Sequence, residues 1–190
     1  MASLHPDLQR VLDDLDAIDR SVQELSSRVS DEQFFWQPNE GRSWSIAQCL
    51  DHLMVGNNIY ADGMERAVEA ARGRWPGGQP IRSNFFGRKF IASLEPPVTR
   101  RMSAPKKIIP PPSKSRPEIL DAFFRAHERL RAIARASSEV DVNRAKFRNP
   151  FIGVVQMRVG TALRLLMAHD RRHLWQAQNV TKAPGFSTAR

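Results

Sequence analysis

Two histidines stand one helical turn apart near the C-terminal end of the chain, in LLMAHDRRHLWQAQNV, as His169 and His173. On a helix they lie about 40° apart and share the sector of Val159, Ala162, Leu166, Ala177 and Val180. Both imidazoles therefore face the core. Each ring carries two nitrogens into a medium of low dielectric, and each nitrogen needs a partner there. A lone inward histidine is commonly a satisfied core residue, whereas an i, i+4 pair can converge on one divalent cation. Two ligands are too few for tight binding, so a third has to come from elsewhere. The candidates are His52, His127, Cys49, Asp51 and Asp170. His5 precedes the first helix, at an end prone to fray, and is set aside. His52, in DHL, flanks one apolar stripe and His127 sits nearer the centre of another, so periodicity leaves both open. Cys49 reads as a small core residue. Asp51 is turned about 100° from His52. Asp170, about 80° from its stripe centre, suits a salt bridge or a partner to a ligand better than a ligand.

The elements that must hold these side chains are helical. Leu8, Val11, Leu12, Leu15, Ile18, Val22 and Leu25 follow the i, i+3, i+4, i+7 pattern of a first helix, with Pro6 in its first turn. Ser45 and Gln48 form a capping box at the start of a second, which carries Ile46, Cys49, Leu50, Leu53, Gly56 and Tyr60 inward and runs to about residue 71. Ser115, Pro117 and Glu118 open a third, lined by Leu120, Phe123, Phe124, His127, Leu130 and Ala134, which stops near Ala136. The fourth spans roughly residues 158–179 and ends at the breakers in KAPG. No convincing strand pair or internal repeat is present. Four helices with one apolar face each are satisfied by an all-α fold, a four-helix bundle, in a single domain over residues 1–190. The helix order is not determined by the sequence, because the long connection between the second and third allows a crossover.

That connection carries the charge. The chain has a net charge of +9, and residues 73–116 hold ten Lys/Arg against Glu95 alone, leaving the remainder neutral. The same segment holds eight of the thirteen prolines and reads as a basic, irregular loop or lid. Within it Phe85, Phe86, Phe90, Ile91 and Leu94 suggest a short helix packed on the body. A polyanion could be bound by such a segment, but no RNA- or DNA-binding motif accompanies it, so nucleic acid is not the expected partner. No apolar run approaches the ~20 residues of a membrane span, and no leader is evident, so the expected location is cytoplasmic, without membrane association. Cys49, the only cysteine, excludes an internal disulfide. Arg171 and Trp175 fall on the outer face of the fourth helix with Arg164, a solvated face or the contact of an expected homodimer.

The stretches FFWQPNEGRSWSIAQCLDHL and GTALRLLMAHDRRHLWQAQNV, in that order, resemble the DinB-like superfamily of metal-binding proteins. The SLEPP and APKKIIPPPS segments between them are similar to one of its branches, and the resemblance covers essentially the whole chain. It implies a four-helix bundle and a divalent metal held by three histidines that fall by motif position on His52, His169 and His173; imidazole suits zinc, nickel, copper and iron alike, and zinc or nickel is the expected transition metal. His127 occupies no ligand position in that pattern and becomes a core or pocket residue. Three histidines leave a coordination position open for water or a small-molecule substrate. Characterised relatives include transferases and isomerases that use low-molecular-weight thiols, so the resemblance implies thiol S-transfer or metal-assisted hydrolysis. The alternative is a non-catalytic metal- or ligand-binding protein of a stress response. No general base is assigned, and Gln48, one turn before His52, is a candidate hydrogen-bonding group in the pocket.

Overall fold

A computed structural model describes residues 4–98 and 114–188. Arg100, Arg101, Lys106 and Lys107 of the basic connection lie outside the described residues. Among the described residues there are six α-helices and one hairpin: α1 (Pro6–Ser27), α2 (Asp31–Phe35), α3 (Ile46–Ala71), α4 (Phe85–Leu94), α5 (Arg116–Ala136), β1 (Lys146–Arg148), β2 (Gln156–Arg158) and α6 (Val159–Val180). The four long helices are those read from periodicity. α3 packs against both α5 and α6, and α1 closes the ring against the same two. The second and third predicted helices are therefore packed neighbours despite the long connection between them.

Local chemistry sets the helix ends. Ser45 Oγ accepts from the Gln48 amide while Gln48 Oε1 accepts from the Ser45 amide, so two otherwise unpaired donors of α3 are satisfied reciprocally. His5, set aside as a ligand, caps α1 by accepting the Asp7 amide on Nδ1 at 3.1 Å. The inward stripes of the four helices interlock through Leu15, Leu50, Leu53, Phe123, Leu130, Leu163 and Leu166, all fully buried.

Two features depart from the sequence reading. Residues 146–158 form a two-stranded antiparallel hairpin, Lys146 opposite Arg158 and Phe147 opposite Met157. Three residues per strand are too few for period-2 patterning to show. Its turn is held by Asn149 Oδ1, which accepts from the Phe151 and Ile152 amides. Gly63 on α3 makes room for it, since a Cβ there would stand 2.4 Å from the Phe147 ring. The second departure concerns α4. The short helix expected around residues 85–94 forms and lies along α6, but it turns Leu94 and Ile91 to the body and leaves Phe85, Phe86 and Phe90 exposed. Glu95 just beyond it takes Arg171, which also pairs with Asp14. The face of α6 read as solvated is thus partly covered by the basic connection.

A buried polar chain crosses the centre of the bundle. His127 on α5 is fully enclosed, with Nδ1 2.6 Å from Asp19 Oδ1 on α1 and Nε2 3.2 Å from Asp170 Oδ2 on α6. Asn57 on α3 donates to both oxygens of Asp170 at 3.3 and 3.2 Å. Arg131 reinforces the outer end by donating to Asp16, Asp19 and Glu128. Burial disfavours a charge on His127, but the hydrogen bonds and charges of Asp170 and Asp19 outweigh it and raise its pKa to about 9. Burial likewise works against ionised Asp19, yet His127 and Arg131 hold its pKa below the usual carboxylate value.

Because the folded-state pKa of His127 lies above its unfolded value, its contribution to stability is complete below about pH 6.5 and is lost as pH rises through about 9. Denaturant unfolding of chelator-treated protein is expected to show stability falling between pH 7 and 9.5, by on the order of 3 kcal/mol. In His127→Gln that alkaline slope should flatten. A wild-type profile level across this range would contradict the assignment.

Candidate metal centre

The site lies between α3 and α6. His52 is 1% exposed on α3, and α6 supplies His169 and His173 from successive turns of one face. His52 Nε2 and His169 Nε2 are 3.2 Å apart, and one ring nitrogen from each of the three residues falls within 4.8 Å of the other two. Ring centroids are separated by 5.1 Å for His52 and His169, 4.5 Å for His52 and His173, and 4.7 Å for His169 and His173. Trp44, immediately before the α3 cap, covers one side: its ring centre is 4.8 Å from that of His52 and 5.6 Å from that of His173, nearly parallel to the latter. His169 has the most accessible side chain of the two on α6, at 19%, so solvent reaches the cluster along its edge.

The electrostatics favour neutral rings at His169 and His173. Burial, followed by the neighbouring histidines, lowers the pKa of His173 to about 2. Burial lowers that of His169 to about 4, against the pull of Asp170. His173 Nδ1 lies 3.0 Å from Gln176 Oε1, an acceptor, so the proton sits on Nδ1 and Nε2 keeps its lone pair. Two lone pairs facing one another at the His52 to His169 distance repel unless a proton or a cation lies between them. The donor set, three imidazoles with converging nitrogens, fits a divalent transition-metal cation.

Of the five third-ligand candidates, His52 alone joins the pair. His127 is engaged by Asp19 and Asp170. Asp51, 2% exposed, receives Lys114 Nζ at 2.6 Å and is not part of the cluster. Cys49 is fully buried, which holds its thiol protonated. Asp170 is turned to Asn57 and His127, with one oxygen 4.0 Å from His169 Nδ1. Gln48, expected as a hydrogen-bonding group, has its oxygen taken up by the Ser45 amide and by Gln37 Nε2. Sequence reasoning passed over Trp44 and Gln176. Gln176 was within reach of the pattern, since i, i+3 on a helix places it beside His173. The approach of Trp44 depends on how the segment before α3 folds back and has no local signal.

The family model described as the DinB superfamily matches residues 6–177. Among curated proteins and among solved structures, none matches this chain.

With folded-state values below the ordinary histidine range, His169 and His173 stay neutral while the unfolded chain takes up protons below about pH 6.5, so the metal-free protein loses stability as pH falls from there toward 4. Long-range ¹⁵N NMR of metal-free protein at pH 5.5 is expected to find both rings neutral, His173 as the Nδ1–H tautomer. Titration of either ring near pH 6.5 would show that the cluster is not closed as described.

Proposed function

Because the chain belongs to the DinB superfamily, we propose that it is a metal-dependent enzyme in which His52, His169 and His173 hold a divalent transition ion, zinc or nickel, beside a small-molecule substrate. The observation that carries this reading is the convergence of three imidazole nitrogens at a place solvent can reach. Bound there, such an ion supplies Lewis acidity, lowering the pKa of a water or thiol or polarising a carbonyl. The protein's own side chains do the rest. Gln176 fixes the tautomer of His173, and Trp44 excludes water from the side of His52 and His173. The edge along His169 remains for the substrate. Thiol S-transfer, with a low-molecular-weight thiol as cosubstrate, or hydrolysis fits a site whose chemistry rests on the cation.

A second reading, metal binding without turnover, is favoured by one observation. Each acid near the cluster among the described residues is already engaged, Asp51 by Lys114 and Asp170 by His127 and Asn57. A free general base is therefore not at hand.

The two readings separate under assay. Metal-loaded protein should turn over a member of a panel of thiol-conjugation and ester substrates, lose the activity on chelation and regain it with zinc or nickel. Chelation should also lower Tm by roughly 5–11 °C if the ion was present at a hundredfold over its Kd. Stabilisation by metal without turnover across the panel would favour the binding reading. Turnover that persists unchanged after complete chelation would contradict the enzymatic one.

A further inference from the structure

His169 has its Nε2 turned to His52, which leaves Nδ1 pointing away from the cluster. That nitrogen is buried and has no hydrogen-bond partner among the described residues. An imidazole nitrogen in this position carries the ring's proton when the other nitrogen binds a cation, and it needs an acceptor. The nearest carboxylate oxygen is Oδ1 of Asp170, at 4.0 Å, about 1 Å beyond a hydrogen bond. Asp170 is completely buried. Its two oxygens already meet Asn57 Nδ2 and, on one of them, His127 Nε2, and each oxygen has a further lone pair.

We propose that Asp170 is the positioning residue of the centre, accepting the Nδ1 proton of His169 and so presenting its Nε2 to the cation, while His127 and Asn57 hold Asp170 in place. The proposal rests on the reading of the three histidines as ligands. Gln176 already plays the same part for His173, so each of the two ligands on α6 has its far nitrogen assigned to an oxygen. The carboxylate gives the stronger bond of the two, because charge assistance shortens and strengthens it. It also sets a negative charge behind one ligand, which raises the ligand's basicity and offsets the charge of an arriving ion. The helix makes the arrangement unusual, for adjacent residues point about 100° apart. Asn57 and His127 hold the Asp170 carboxylate with one oxygen 4.0 Å from His169 Nδ1. The metal site and the buried polar chain are thereby one network.

Cobalt(II) is the probe, since its visible bands report ligand field as well as occupancy. Wild type, Asp170→Asn and Asp170→Glu would be titrated with cobalt and read by absorbance, with circular dichroism to verify folding. The asparagine variant is expected to bind roughly tenfold to a hundredfold more weakly, with shifted bands, and the glutamate variant to recover part of the loss. Should Asp170→Asn fail to fold, zinc-loaded wild type decides: ¹H–¹⁵N NMR should show a slowly exchanging, strongly downfield Nδ1 proton on His169. Cobalt binding by Asp170→Asn with wild-type affinity and bands, or absence of that proton, would overturn the proposal and leave the ligand assignment standing. Failure of wild type to bind cobalt or zinc at all would overturn both.

Discussion

The structure depends on keeping His127 charged in a place without water. An imidazolium enclosed at the centre of a helical bundle is tolerated only if both of its nitrogens meet acceptors, and carboxylates buried beside it are tolerated only if something pairs with them. Asp19, His127, Asp170 and Asn57 stand in a line that takes one residue from each of the four long helices, joined by ion-pair contacts at both nitrogens of His127 and by the Asn57 amide on Asp170. Apolar packing among leucines accepts small slides of one helix along another at little cost. A line of short polar contacts does not, and removing one member strands the charge of the next. This chain therefore sets the axial register of α3 against α6, and with it the 3.2 Å approach of His52 to His169 across 117 residues of sequence.

The chemistry of the two polar groups is opposite, and they are one residue apart. On one side of α6 the histidines are kept neutral by burial and by each other, which is the state a cation requires. On the other side His127 is held protonated by two carboxylates. Desolvation acts on all three rings in the same direction. The carboxylates at His127 reverse its effect, whereas the pull of Asp170 on His169 and the hydrogen bond of Gln176 to His173 fall short of it. α6 thus carries two histidines of the candidate cation site on one side and faces His127 of α5 on the other.

Much of this was legible in the chain. The four long helices follow from their apolar stripes and capping boxes, and the inward aim of His169 and His173 follows from the i, i+4 spacing alone. His52 was only one of two histidines that periodicity allowed. What separates them is the lateral offset of α3 against α6, a tertiary quantity, and the resemblance of the DHL and HDRRH segments supplied that choice. The hairpin at residues 146–158 escaped notice because its strands are too short to show alternation. The aromatic run around Phe85 gave a helix correctly but not its orientation, since Phe85, Phe86 and Phe90 stay outside while Ile91 and Leu94 pack inward. The role of His127 could not be read at all, for its partners Asp19 and Asp170 stand 108 and 43 positions away.

The central claim is that His52, His169 and His173 form one cation site. Metal content per chain, measured by elemental mass spectrometry on untagged protein purified without chelators, addresses it most directly when wild type and His169→Ala are compared side by side. The account predicts about one transition-metal ion per wild-type chain and a small fraction of that in the variant. No metal in wild type, with no uptake from added zinc or nickel, would contradict it and make the histidine cluster a packing feature of the core.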